Sequence, residues 1–518
     1  MRRLRHDFVV FFVIWSISLF NGFAQDTNTD NNIIAKKNVV LILGDDAGFE
    51  MGAYNNTACK TPNFDKLASR GVTFDNAFTT VSSCSPSRSA LLTGLPPHQN
   101  GMFGLHDFNM NSFSTVKSLP MILHEAGIRT GIVGRKHVGP DSVYKFDYEQ
   151  TEENNPIIQV GRNITLMKQY VQEFLSQNDS RPFFLYITYH DPHRCSDIPT
   201  YGQFCERFGN GEPGMGNIPD WTPVKNSPDD VTIPFFLPNT TATRVDMANM
   251  YTAYSRMDQG LGLFMELLEK AGVMNDTLVV YSSDNGIPFP GAKTNLYDPG
   301  MREPLIISSP LQTQSWGSKT DAMASLIDIV PTVLDWYSVK YPTYRIKPYL
   351  PPAVLTGKSL LPVLEYPSAT QLPNFDAVFS SHNFHEITMY FPMRVIRTVE
   401  KFKLIHNLNM GLSFPIATDL YQAPSFQEIL NNTKSGKPTY WYRTLGDYYH
   451  RAPFELYDLN LDPKEQMNLC NEPSLFAILD ALKTRLRAWQ NATHDPWYCY
   501  PGAVLERTYC GPLYNGEY

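Results

Sequence analysis

Four short apolar runs in this chain each end abruptly in polar residues, and that pattern constrains the fold more than any other feature. Val39 to Leu43 runs into Asp45-Asp46, and Thr130 to Val133 into Arg135-Lys136-His137. Pro182 to Tyr189 runs into His190-Asp191-Pro192-His193, and Leu278 to Tyr281 into Asp284-Asn285. Continuous apolar runs of this length read as strands buried on both faces, the signature of a mostly parallel sheet. Helical segments fall between them. Thr61 is placed to cap a helix beginning at Pro62, and Gly71 to stop it. Leu119 to Ala126 reads as a helix ended by Gly127, and Met247 to Ala271 has helical periodicity. The alternation predicts an α/β fold with a large sheet sandwiched between helices. In such sheets ligands bind beyond the carboxyl ends of the strands, which is where all four polar clusters lie.

Beyond about residue 340 the chain becomes rich in Pro, Tyr and other aromatics. Ala377 to Phe379 and Lys403 to Ile405 read as strands of a smaller antiparallel sheet, with a terminal helix over Leu475 to Gln490. The expected organisation is a leader over 1–24, a large domain over 25–375 and a smaller one over 376–518.

The N-terminus predicts the compartment. Arg2, Arg3 and Arg5 precede an uncharged apolar run from Phe8 to Phe20, and Gly22 and Ala24 supply small residues for cleavage before Gln25. The run is shorter than the roughly 20 residues needed to span a bilayer, so a cleaved signal peptide is expected. No later stretch reads as transmembrane. Asn55, Asn163, Asn178, Asn239, Asn275, Asn431 and Asn491 each open a glycosylation sequon and are expected on the surface. Seven cysteines in an oxidising compartment leave at least one unpaired or modified. Cys195 and Cys205 are near enough to close a short loop, as are Cys499 and Cys510, whereas Cys59 and Cys470 are left open. A net charge of −8 argues against broad nucleic-acid or polyanion binding, although local positive charge in a cleft could still hold an anion.

Asp45, Asp46, Asp284 and Asn285 offer four oxygen-bearing side chains from two strand ends, a donor set suited to a hard cation such as Ca2+. Cys84-Ser85-Pro86-Ser87-Arg88, followed by Leu92-Thr93-Gly94, resembles the signature of the sulfatase family. Thr61 to Ala68, Gly71 to Phe74, and Glu455 to Asp458 with Asp462-Pro463 and Glu465 are similar to other sulfatase segments. Cys84 to Gly104, Arg181 to Cys195, Phe208 to Trp221 and Ser283 to Tyr297 resemble more narrowly the sulfamidase branch, which cleaves N-sulfated glucosamine.

The resemblance implies an alkaline-phosphatase-like fold, one Ca2+ per chain with residue 84 among its ligands, and oxidation of Cys84 to formylglycine by a generating enzyme. It also implies a heparan sulfate substrate, a lysosomal destination and a homodimer. The catalytic set it implies is Cys84, Arg88, Arg135, His137, His193 and Lys293. Arg135 stands where the family carries the lysine of Gly-Lys-x-His, so a planar fork replaces a point charge and Lys136 is a second candidate for sulfate. His190, Asp191, His382, His385 and Glu386 are further candidates for the substrate pocket. The competing readings are an O-sulfatase, a phosphoryl-transfer relative on the same sheet, and a catalytically silent heparan-binding protein.

Overall fold

A computed structural model describes residues 37–155, 159–195, 201–368, 375–385, 389–409 and 411–512. Residues 1–24, where a leader is expected, and Glu386 lie outside the described residues. From Lys37 onward the described chain forms one compact unit containing both sheets.

The large sheet contains β1 (Asn38–Asp45), β2 (Val72–Phe78), β3 (Arg129–Gly134), β4 (Tyr148–Thr151) and β5 (Phe183–Pro192). It is completed by β6 (Thr277–Ser283), β7 (Arg302–Ser308), β8 (Ser318–Thr320) and β9 (Ala324–Ser325). The order is β4-β3-β5-β1-β6-β7-β2-β8, with β9 also pairing β2. Every pairing is parallel except those of β7, which runs antiparallel to both β6 and β2.

The pleat of β1 shows why its sequence is apolar throughout. Val40 and Ile42 pack with helix Thr241–Lys270 and helix Ile164–Ser176 on one face. Val39, Leu41 and Leu43 pack on the other face with α2 (Cys84–Thr93) and helix Ile329–Trp336. A strand covered on both sides has no wet face, so every position is apolar. The helix expected from Met247 begins earlier, at Thr241, because the Thr240 side chain accepts a hydrogen bond from the Thr243 amide and caps it. Helix Pro62–Ser69, or α1, starts at the expected proline.

The second sheet, β10 (Ala377–His385), β11 (Met389–Thr398), β12 (Phe402–Asn407) and β13 (Phe454–Asp458), is antiparallel in that order. Val378, Met393, Val395 and Ile405 pack with Phe78 of the large sheet and with Leu296 and Met301 from the segment between β6 and β7. Ala377, Ile396, Leu404 and Leu456 face the terminal helix Phe476–Ala492. β14 (Ala503–Glu506) and β15 (Tyr509–Pro512) form a separate hairpin. Two bonds position β10 against the catalytic half: Ser381 N donates to Thr80 O (2.7 Å), and Ser380 Oγ to Thr79 O (2.8 Å). Thr79 and Thr80 lie on the segment that leads into α2.

Cys195–Cys205 and Cys499–Cys510 are disulfides, with Cα atoms 5.3 and 5.5 Å apart, while Cys59, Cys84 and Cys470 are free thiols. Six of the seven sequon asparagines are exposed. Asn163 is half-buried because its side chain caps helix Ile164–Ser176 by accepting from Leu166 N (3.1 Å).

Candidate active site

The parallel register sets the ends of β1, β3, β5 and β6 side by side, and their polar residues converge on the N-terminus of α2. Ser83 precedes that helix in an extended conformation, so Cys84 is its first residue and projects into the cluster. The Cys84 Sγ lies 3.5 Å from Asp45 Oδ1 and 3.7 Å from Asp46 Oδ1. Arg88, one helical turn on, points the same way and is fully buried. Its Nε donates to Asp284 Oδ2 (2.9 Å), its Nη2 lies 3.3 Å from Asp45 Oδ2, and its Nη1 donates to Thr188 Oγ1 (2.5 Å) and Arg135 O (2.7 Å).

Arg135 bonds Asp45 Oδ2 directly. Lys293 Nζ contacts Asp46 Oδ2 (2.7 Å), and His193 Nε2 lies 3.7 Å from that oxygen. Asn285 Nδ2 donates to Asp46 Oδ1 (2.7 Å), and Asp284 Oδ1 accepts from the Asp46 amide (3.0 Å).

The backbone is bent to achieve this convergence. Asp46, His137 and Thr294 all take positive φ (61°, 53° and 69°), a conformation side chains disfavour and that clusters at functional sites. Gly134, at φ 111°, lets β3 turn against β5, where a Cβ would meet Thr188 O at 1.8 Å.

The donor set fits a hard divalent cation. Asp45, Asp46 and Cys84 bring ligand atoms, with one from His193, within 4.8 Å of one another. Asn285 Oδ1 is buried without a hydrogen-bond partner, an acceptor that a cation would satisfy. Among the described residues, Asp45, Asp46, Asp284 and the nearby Asp419 pair with Arg88, Arg135 and Lys293, with His193 beside Asp46, so four carboxylates face three cations. Burial pushes Asp46 up to about 6 against the pull of Lys293, with Asp45 adding to the rise. Burial and then Asp45 raise Asp284 to about 7, against Arg88. Asp45 goes the other way, because Arg135 and Arg88 outweigh its burial and hold it well below the ordinary carboxylate range.

Burial, reinforced by the Asp45, Asp46 and Asp284 carboxylates and opposed by Lys293, holds the Cys84 thiol well above its usual range. An unmodified Cys84 is therefore a protonated thiol and a poor nucleophile. His193 is pushed well below the usual imidazole range by burial and then by Lys293. Its Nδ1 lies 2.8 Å from the Arg194 carbonyl, an acceptor only, so Nδ1 carries hydrogen and Nε2 faces the acidic cluster. His137 is lowered by burial and by Arg135; its Nε2 pairs with Asp107 Oδ2 (2.9 Å), and its amide donates to Glu153 Oε1 (2.6 Å). His190 stands beside His193, with its Nδ1 3.0 Å from Glu152.

Four expectations about the pocket are corrected. Lys136 turns away from the cluster, its ammonium held by Asp141 and Glu149 (3.0 Å each), and Arg135 holds the site position. Asp191 is fully buried and clamped by Arg162 (2.5 Å) and Arg256 (2.7 Å), which makes it scaffold. His382 and His385 stack on each other with ring centroids 3.9 Å apart and bond the carbonyls of Phe384 and Phe391. They are packing residues of the second sheet. Asp419 was missed: it lies in the C-terminal region, in helix Thr418–Gln422, 3.8 Å from Lys293, and no local pattern marks it. Thr188 and Asp107 likewise acquire their roles only through contacts distant in sequence.

The sulfatase family model matches residues 37–339. The human N-sulphoglucosamine sulphohydrolase is 54% identical over 486 residues, covering 92% of this chain and 95% of that protein. An ulvan-active sulfatase of Formosa agariphila is 27% identical, covering 91% and 84%. A solved structure holding its substrate D-glucosamine-2-N,6-O-disulfate superposes with a TM-score of 0.61 at 20% identity, covering 89% of this chain and 98% of that one. The phosphonate monoester hydrolase of Agrobacterium radiobacter superposes at 0.59 and 19% identity, covering 88% and 96%, so the fold alone does not choose between sulfuryl and phosphoryl chemistry. The family match and the human relative, joined to a cysteine lodged in an acidic cluster at the sheet's carboxyl edge, make this chain a member of the sulfatase family.

Proposed function

We propose that this protein hydrolyses the N–S bond of terminal N-sulfoglucosamine in heparan sulfate, releasing sulfate. The observation that carries this reading is the 54% identity to the human N-sulphoglucosamine sulphohydrolase across 92% of the chain. The site geometry agrees with it. Cys84, as formylglycine, would supply a hydrated aldehyde, with one hydroxyl to attack sulfur and another to expel the sulfate afterwards. A calcium ion held by Asp45, Asp46, Asp284, Asn285 and residue 84 would supply Lewis acidity at the sulfuryl oxygens.

The remaining work falls to the chain's own side chains. Arg88, spanning Asp45 and Asp284, keeps the carboxylates in place beside residue 84. Arg135 and Lys293 present positive charge where the sulfuryl oxygens gain negative charge in the transition state. A glucosamine nitrogen leaves readily only when protonated, and His193, whose Nε2 is turned to the acidic cluster, is the side chain we assign to deliver that proton. A bound anionic substrate favours the charged imidazole and counters the lowering by burial. His137, held by Asp107 and Glu153, is the base for the final elimination. Delivery to the lysosome, the seven glycans, maturation by a formylglycine-generating enzyme and a homodimeric state belong to the same proposal. Among the described residues no helix is long and apolar enough to cross a membrane.

The test is hydrolysis at acidic pH of two matched glucosamines, one N-sulfated and one 6-O-sulfated, with residue 84 weighed by mass spectrometry in the same sample. Sulfate released from the N-sulfated compound alone, with formylglycine present, is the expected result. Release from the O-sulfated compound alone would keep the family chemistry and overturn the substrate. Release from neither, with residue 84 oxidised, would point to another sulfate ester or to a silent binding protein.

A further inference from the structure

Asp419 stands out among the buried groups around the site. It reaches the cluster from the C-terminal half, is 6% exposed, and its Oδ2 accepts no hydrogen bond. Asp419 Oδ1 accepts from the amide of Leu420 (2.9 Å), which fixes the carboxyl's orientation. Among the described residues the cation paired with Oδ2 is Lys293, whose Nζ at 3.8 Å is beyond hydrogen-bond range and is already engaged by Asp46 at 2.7 Å. A buried carboxylate oxygen left in this state is costly unless a ligand brings it a donor.

The ligand's chemistry limits what that donor can be. A sulfuryl group beside Lys293 offers only oxygens, which repel a carboxylate. The atom that bridges sulfur to the rest of the substrate differs between the two substrate classes. In an N-sulfate it is a nitrogen carrying hydrogen, whereas in an O-sulfate ester it is an oxygen that can only accept. A carboxylate next to that atom attracts the first and repels the second, so it both selects and rejects.

We infer that Asp419 is a specificity-determining residue whose free Oδ2 accepts the N–H of an N-sulfate and disfavours O-sulfate esters at the same site. The inference rests on the N-sulfate reading above and gives it a residue. It also assigns the C-terminal half a part in substrate choice, through the short helix Thr418–Gln422.

The experiment uses two near-isosteric probes, cyclohexylsulfamate and cyclohexyl sulfate, which differ only in N–H versus O at the bridging atom and carry no sugar hydroxyls. Each is measured as a competitive inhibitor of the mature wild-type enzyme and of Asp419→Ala and Asp419→Asn. The wild type is expected to bind the sulfamate at least about tenfold more tightly, the size of one hydrogen bond to a charged acceptor. Asp419→Ala is expected to erase that preference, and Asp419→Asn, which keeps the side chain's shape, to reduce it. If Asp419 acted only by holding Lys293, both probes would weaken together and the preference would survive, which would overturn the inference. A wild type with no preference would overturn it equally. Failure of the N-sulfate reading itself shows separately, as absence of sulfate release from N-sulfoglucosamine by the wild type.

Discussion

Two buried charge clusters in this molecule are built on opposite principles. In the second sheet, Arg394 makes a two-pronged pair with Asp495 (Nε to Oδ2 2.6 Å, Nη2 to Oδ1 2.8 Å) and gives its remaining nitrogen to the carbonyls of His382 and Met393. Asp495 also accepts from Gln490 (2.8 Å) and the Trp497 amide (3.0 Å). One acid meets one base, and burial is outweighed by Arg394, so Asp495 is held well below its usual range. At the carboxyl edge of the large sheet, four carboxylates face three cations, Asn285 Oδ1 has no partner, and Asp46 and Asp284 are raised. Balanced charge with satisfied hydrogen bonds makes scaffold. Unbalanced charge, held in place by the surrounding fold, makes a site that a cation and an anionic substrate complete.

The comparison is most sharply tested at residue 84. Cys84→Ser is expected to lower turnover by at least about 1,000-fold, as loss of a nucleophile does, with an unchanged unfolding midpoint. Sulfate release near the wild-type rate from that variant would remove Cys84 from the mechanism. Next in size, Arg394→Ala should cost about 3–5 kcal/mol in urea unfolding, because it strands the Asp495 carboxylate in the interior. If it unfolded as the wild type does, the idea of a balanced scaffold pair would fail.

Asp284→Ala is expected to lose calcium, measured by metal analysis of the purified protein, and activity with it. In chelator, Asp284→Asn should be at least as stable as the wild type, because it relieves crowding among the carboxylates. A large loss of stability there would show that the edge cluster is scaffold after all.

The smallest effect is in pH dependence. Carboxyls raised in the folded state, such as Asp46 (about 6) and Asp284 (about 7), bind protons that the unfolded chain has released. They contribute stability at low pH that is lost as pH rises from about 4 to 7. The depressed Asp495 has the opposite sign and contributes stability that disappears only in strong acid. Calorimetry of chelated protein should therefore show the wild type losing several degrees of melting temperature relative to Asp284→Asn between pH 4 and 7, the comparison cancelling the buried histidines, whose lowered range acts with the opposite sign. A difference between the two proteins that stays flat with pH in chelator would contradict the raised carboxyl.

Much of this site was legible locally. A run of apolar residues that ends in two acids carries its own structural meaning, because burial on both faces forces the run and the strand's end forces the polar residues out of the sheet. The Cys84–Arg88 spacing is likewise a local fact, since one helical turn places the two side chains together whatever surrounds them. His190-Asp191-Pro192-His193 was legible only in part. Three of its four residues carry plausible chemistry, and it is Arg162 and Arg256, from distant segments, that claim Asp191 for the scaffold and leave His193 to the site. The choice between Arg135 and Lys136 was closed in the same way, by the carboxylates each meets beyond β3: Asp45 for the first, Asp141 and Glu149 for the second.

The sequence by itself determined the α/β architecture, the acidic strand ends, the motif around Cys84 and the turn of helix that brings Arg88 to it, because all of these depend on periodicity and nearest neighbours along the chain. The tertiary structure decided which charges are balanced, which histidines are packing residues, and that Asp419 reaches Lys293 from the far half of the chain. Those outcomes depend on desolvation and on distances between segments hundreds of residues apart, and a buried charge acquires its meaning only from the partners that folding brings to it.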